Sequence, residues 1–128
     1  MSDRTDWADQ QGAIIVSWAG VTRGREGKAF EVFGKAVQYY GELEKEGVLT
    51  GTHVYFNSTG GNRGQIILNG SMGTLHNLLL DAKFSRLQQE ASLIADDLQV
   101  NSAIGGSFDS ISEGMAANLS VLQEHGLI

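Results

Sequence analysis

A chain of 128 residues with seventeen glycines, no cysteine, no proline and a formal charge of −6 fits one domain that folds without disulfides or thiolate metal sites. Nine Lys and Arg against fifteen Asp and Glu offer no basic face for nucleic-acid phosphates. No apolar run approaches the roughly 20 residues that span a bilayer, and the polar, acidic start MSDRTDWADQQG is unlike a signal peptide, so a cytoplasmic protein is expected, with neither nucleic acid nor membrane as partner.

Residues 1–12 read as a flexible arm containing Asp6 and Asp9, in which Trp7 is placed to pin the arm to the body or to a second subunit. The first strand spans Ala13 to Trp18, an apolar, β-branched run too short for a helix. Trp18 is expected to fill the core. The stretch GVTRGREGKAF, Gly20 to Phe30, looks like a phosphate loop but lacks its chemistry. Aligned on Gly27 and Lys28, Thr22 stands where the first glycine belongs and Ala29 where a hydroxyl must reach magnesium. What remains is a βα connection whose Arg23, Arg25 and Lys28 could attract an anionic group to a helix N-terminus.

From Arg25 to Glu46 the apolar residues Ala29, Phe33, Ala36, Tyr40 and Leu43 recur at helical steps, and Gly47 stands where a helix-terminating glycine is expected. Gly34 and Gly41 inside this helix each cost about 1 kcal/mol relative to Ala, and close packing on a sheet is their expected reason. Thr52 to Asn57 and Gln65 to Asn69 alternate as strands, and STGGNRG between them makes the pair a hairpin. Thr74 to Ala95 is helical in pattern with a break at Asp81, and His76 is expected in its first turn. Asp96 and Asp97 read as a solvated turn before a fourth strand, Leu98 to Ala103. After Gly105 and Gly106 a last helix spans about 107–126, with Ser110 and Glu113 at capping-box spacing and an apolar stripe of Ile111, Met115, Leu119 and Leu122.

The order β–α–β–β–α–β–α is that of a single α+β domain: a four-stranded antiparallel sheet of ferredoxin-like type with helices on one face, plus an extra C-terminal helix. Ile14, Val16, Trp18, Val54, Phe56, Ile66, Leu68, Leu98 and Val100 are expected to face the helices. The other face then carries Ser17, His53, Tyr55, Asn57, Gln65, Ile67, Asn69, Gln99 and Asn101. An ordinary solvent face would hold lysines and glutamates, and this one holds none. It therefore reads either as a cavity lining or as a dimer seam.

On the first reading Ser17, His53, Tyr55, Asn57, Gln65, Asn69, Gln99 and Asn101 bind a small organic ligand, and His53 and Tyr55 are the candidate catalytic pair. On the second the protein is a non-catalytic oligomer whose polar face only closes the seam. No cofactor motif is present, and no metal is expected, because His53, His76 and His125 have no ligand spacing. No serine sits in G-x-S-x-G.

The stretches REGKAFEVFGKAVQYYGELEKEGVL and RGQIILNGSMGTLHNLLLDAKFSRLQQEA, the second with its helix broken at an Asp, resemble the dimeric α+β barrel superfamily over Ala13 to Ala103. The resemblance implies a homodimer that pairs two sheets into a barrel. Members of that superfamily include cofactor-independent monooxygenases, isomerases, dechlorinating enzymes and haem binders, so it implies a dimer more strongly than a reaction. No haem ligand carries over to a residue of this chain.

Overall fold

A computed structural model of the chain describes residues 7–128, the side chain of Ser110 excepted. The sheet is built from β1 (Gln11–Trp18), β3 (Gly51–Phe56), β4 (Gly64–Ser71) and β6 (Gln99–Ile104), in the order β3-β4-β1-β6 with every neighbouring pair antiparallel. Alternation decides the faces. β4 buries every second residue along its whole length, and in β1 Ile14 and Val16 are buried while Ile15 and Ser17 are half-buried on the opposite side. β3 and β6 are the edges. On β3, Val54 and Phe56 take the expected face, opposite Ile66 and Gly64, yet both are exposed because helical cover is thin over that edge.

The helices α1 (Glu26–Lys45), α2 (Met72–Leu79) and α3 (Ala82–Ser92) supply the rest of the core. Ile14, Tyr40, Leu49, Leu68 and Leu75 are its most enclosed side chains. α1 ends in a Schellman arrangement: Gly47 N–H donates to the Glu44 carbonyl, Val48 N–H donates to the Leu43 carbonyl, and Gly47 takes a φ of 83°. The break expected at Asp81 is real. Asp81 is the N-cap of α3, its carboxylate accepting from the N–H groups of Lys83 at 2.8 Å and Phe84 at 3.3 Å. Ser71 caps α2 in the same way, so that helix starts at Met72 and His76 falls in its last turn rather than its first.

Three expectations are corrected. Gly34 and Gly41 do not pack on the sheet: both are exposed, and a Cβ at either would meet nothing within 4 Å. Trp18 is half-buried rather than central, its ring lying over Gly64. Gly20–Val21 (β2) is not simple loop, for it pairs antiparallel with Ala95–Asp96 (β5) in a second, two-stranded sheet. The Ala19 N–H extends that pairing to the Asp96 carbonyl and the Thr22 N–H to the Ile94 carbonyl, both at 2.9 Å.

Asp6 lies outside the described residues. Trp7–Asp9 form a 3-10 turn against α2, with the Trp7 ring edge-on to His76 at 5.6 Å and Ala8 against Gly73. At the other end α4 (Phe108–Glu124) begins two residues before Ser110, and the Ser110 half of the expected capping box lies outside the described side chains. No helix among the described residues is long and apolar enough to cross a membrane.

Candidate functional site

The layer between α1, α3 and the sheet is not filled. A cavity of about 610 Å³ lies there, within the range of small-molecule sites. Its floor is the helix-facing side of the sheet, with Val16, Trp18 and Ile66. Its walls come from Ala29, Val32 and Phe33 of α1 and from Leu87 and Ala91 of α3, while Val21, Ile94 and Ala95 enter from the small β2–β5 sheet. The alanines explain the space. Ala29, Ala91 and Ala95 occupy inward positions where larger apolar side chains would close the gap between layers. At the mouth stand Phe30, 81% exposed, and Phe56, 64% exposed. Phe56 makes edge and tilted contacts with the Trp18 and Phe33 rings, at 6.2 and 5.6 Å between centroids.

The lining is apolar except for four residues: Glu26, Asn62, Tyr40 and Gln88. The last two form one unit. Gln88 Nε2 of α3 donates to the Tyr40 hydroxyl of α1 at 2.7 Å, fixing the phenol where the two helices meet. Tyr40 is almost wholly enclosed, in ring contact with Phe84 at 6.4 Å. Burial pushes its pKa up to about 12; the Gln88 hydrogen bond opposes that shift and the neighbouring Tyr39 adds to it. At neutral pH Tyr40 is therefore a protonated phenol that accepts from Gln88 and still carries an O–H to donate.

The residues picked out in the sequence lie on the sheet's other face, in rows set by the strand register. One row runs Tyr55, Gln65, Ser17, Gln99; the next runs His53, Ile67, Ile15, Asn101. Asn69 pairs with Gly51 and Ala13 in a third. His53, Tyr55, Asn57, Gln99 and Asn101 are exposed, whereas Ser17, Gln65 and Asn69 are half-buried. A polar recess of about 230 Å³ gathers Ser17, Asn57, Gln65 and Gln99 with Arg63 and Asp97. Asp97 is the one non-glycine among the described residues with a positive φ, 53°. His53, Asn69 and Asn101 are not part of that recess. His53 instead leans over Gly51, its Nε2 about as close as Asn69 Oδ1 to the point a Gly51 Cβ would occupy, at 3.4 and 3.6 Å. That Asn69 oxygen is buried and accepts no hydrogen bond among the described residues.

The apolar cavity and the polar rows are thus back to back, separated by the thickness of the sheet. The period-two polar pattern of the strands marks the second and carries no trace of the first. The signal for the cavity was present in the helices, as alanines at inward positions 29 and 91 facing aromatic residues. His125 is exposed near the C-terminus and His76 is held by Trp7. Arg25 donates to the Leu93 carbonyl, which ties the start of α1 to the end of α3, whereas Lys28 pairs only with Glu31 one turn along α1, at 3.3 Å. Among the described residues no three His, Asp or Glu side chains gather as they would around a metal ion. In comparisons with known proteins no family model matches the chain, and neither a curated protein nor a solved structure matches it.

Proposed function

We propose that this protein binds a small, largely apolar organic molecule in the cavity between its helices and its sheet. The observation that carries the reading is the 610 Å³ of apolar space with Tyr40 and Gln88 in its wall. An apolar body would gain about 25 cal/mol for each Å² of surface it removes from water, and one oxygen or nitrogen acceptor on it would meet the Tyr40 hydroxyl. Cofactor-independent chemistry of the monooxygenase or isomerase kind is an extension of this reading. His53 and Tyr55 stand on the opposite face, so the titratable groups available to such chemistry within the cavity are Tyr40 and Glu26.

The reading includes a ferredoxin-like protomer that dimerises through the open face of its sheet. The order β3-β4-β1-β6, with helices joining β1 to β3 and β4 to β6, supports the first part. Three rows of residues without one charged side chain support the second, since charge is what interface centres lack. The polar recess at Ser17 and Gln99 favours a second reading, in which a polar ligand sits on that face.

Titration with the neutral fluorescent probe N-phenyl-1-naphthylamine separates the two readings. Saturable binding at one probe per chain, abolished by Ala91→Phe and untouched by Gln65→Ala, is the expected result. Binding that survives Ala91→Phe, or no saturable binding, would sink the cavity reading.

A further inference from the structure

The C-terminal helix is unexplained by the cavity. Among the described residues α4 packs extensively on no other element, yet it carries an apolar stripe: Phe108, Ile111, Met115 and Leu119 are 91%, 41%, 67% and 47% exposed. Most of a helix's stability in a protein comes from packing its apolar face, and an apolar stripe left wet adds nothing to hold it. The start of α4 says which way the stripe faces. Gly105 N–H donates to the Gln11 carbonyl at 2.8 Å, carrying the β6–β1 ladder one step past Ile104. Gln11 shares the open-face register of β1 with Ala13 and Ile15, and its side-chain nitrogen lies 3.0 Å from where a Cβ of Gly106 would stand, so the chain leaves β6 on the open-face side. A Cβ at Gly105 would stand 2.6 Å from Ile111 Cδ1, so the stripe sets out from that same side, at the β6 edge.

We infer that α4 is a clasp for a second copy of this chain, extending the contact that the open sheet faces make with each other. The inference rests on the dimer reading above. Area supports this occupant. Four strands of about six residues project to roughly 400 Å², and with the relief of their side chains reach only the lower limit, about 600 Å² per partner, of stable interfaces. A 17-residue helix is about 25 Å long and brings the contact well inside that class. The three strand rows of that face hold no Asp or Glu, so no carboxylate in those rows opposes Asp109, Glu113 and Glu124 of α4. A twofold axis lets each α4 grip the other copy, covering both stripes in one event.

The test uses the full chain, followed by sedimentation velocity and by hydrogen exchange at 108–124 across a micromolar dilution series. The expected wild type is a dimer whose α4 amides are protected and lose that protection on dilution. The double substitution Met115→Glu, Leu119→Glu should weaken dimerisation at least about tenfold while leaving the near-ultraviolet circular dichroism of the body intact. Phe108→Ser, at a position already open to solvent, must shift the equilibrium the same way, which covers the case in which the double variant fails to fold. A wild-type dimer matched by all variants, or α4 protection that ignores concentration, overturns the clasp alone. A wild type that stays monomeric overturns the clasp together with the paired-sheet reading.

Discussion

Gln88 of α3 holds the hydroxyl of Tyr40 of α1 at 2.7 Å, in a lining that is otherwise apolar but for Glu26 and Asn62. A hydrogen bond in such a place is strengthened by the low local dielectric and is costly to leave half made. It ties the two helices together at the edge of the cavity that they and the sheet enclose.

The raised pKa of Tyr40 has a definite sign in stability. An unfolded chain releases this proton near pH 10, whereas the folded chain holds it until about 12. The contribution is therefore complete below pH 10 and is lost as pH rises through this window, by as much as about 3 kcal/mol. Tyr40→Phe should cost about 1 kcal/mol at neutral pH through the lost hydrogen bond and should flatten this alkaline decline. Urea melts of both proteins at neutral and alkaline pH measure it; equal slopes above pH 10 would contradict the assignment. The half-exposed Tyr39, whose pKa burial also raises, titrates in both proteins and cancels in the comparison.

Gly34 and Gly41 are flaws of local stability with no visible compensation among the described residues. With nothing within 4 Å of either Cβ position, Gly34→Ala and Gly41→Ala should each stabilise by about 1 kcal/mol. Gly47→Ala should do the reverse by a similar amount, because its φ of 83° strains any L side chain. Thermal melts of the three variants decide this, and a destabilised Gly34→Ala would reveal a contact outside the protomer.

Gly64→Ala should be harmful for a steric reason. The added Cβ would stand 2.5 Å from Cζ2 and 2.8 Å from Cε2 of Trp18, so the indole must leave the cavity floor. A loss of about 1–3 kcal/mol is expected, with a change in Trp18 emission read in a Trp7→Phe background. Unchanged emission would mean that the ring does not lie over residue 64.

Asp81→Ala should cost about 1 kcal/mol, since two N–H groups of α3 lose their acceptor. Asp81→Asn should recover most of it. If neither variant shifts the melting temperature, the cap adds nothing to the α2–α3 break.

The elements of this protein were legible in its sequence because their causes are local. Alternation placed Ile66 and Leu68 opposite Gln65 and Ile67; the stripe from Ala29 to Leu43 made a helix; Gly47 and Asp81 stopped and started helices at their own positions. The uncharged strand face was legible for the same reason, as a period-two pattern with no lysine or glutamate in it. What tertiary structure alone decided are the quantities set by distance between layers. Whether Ala29 and Ala91 face a filled core or a void depends on how far α1 and α3 stand from the sheet, and no periodicity records that spacing. Trp18 became a cavity floor, and Gly34 a solvent-facing glycine, only when the helix was set at its height and angle. The pairing of Gly20 with Asp96 and of Val21 with Ala95 joins residues 76 and 74 apart, a contact two short segments cannot announce in advance. Local chemistry chose the elements and their faces; the space enclosed between them was settled by packing.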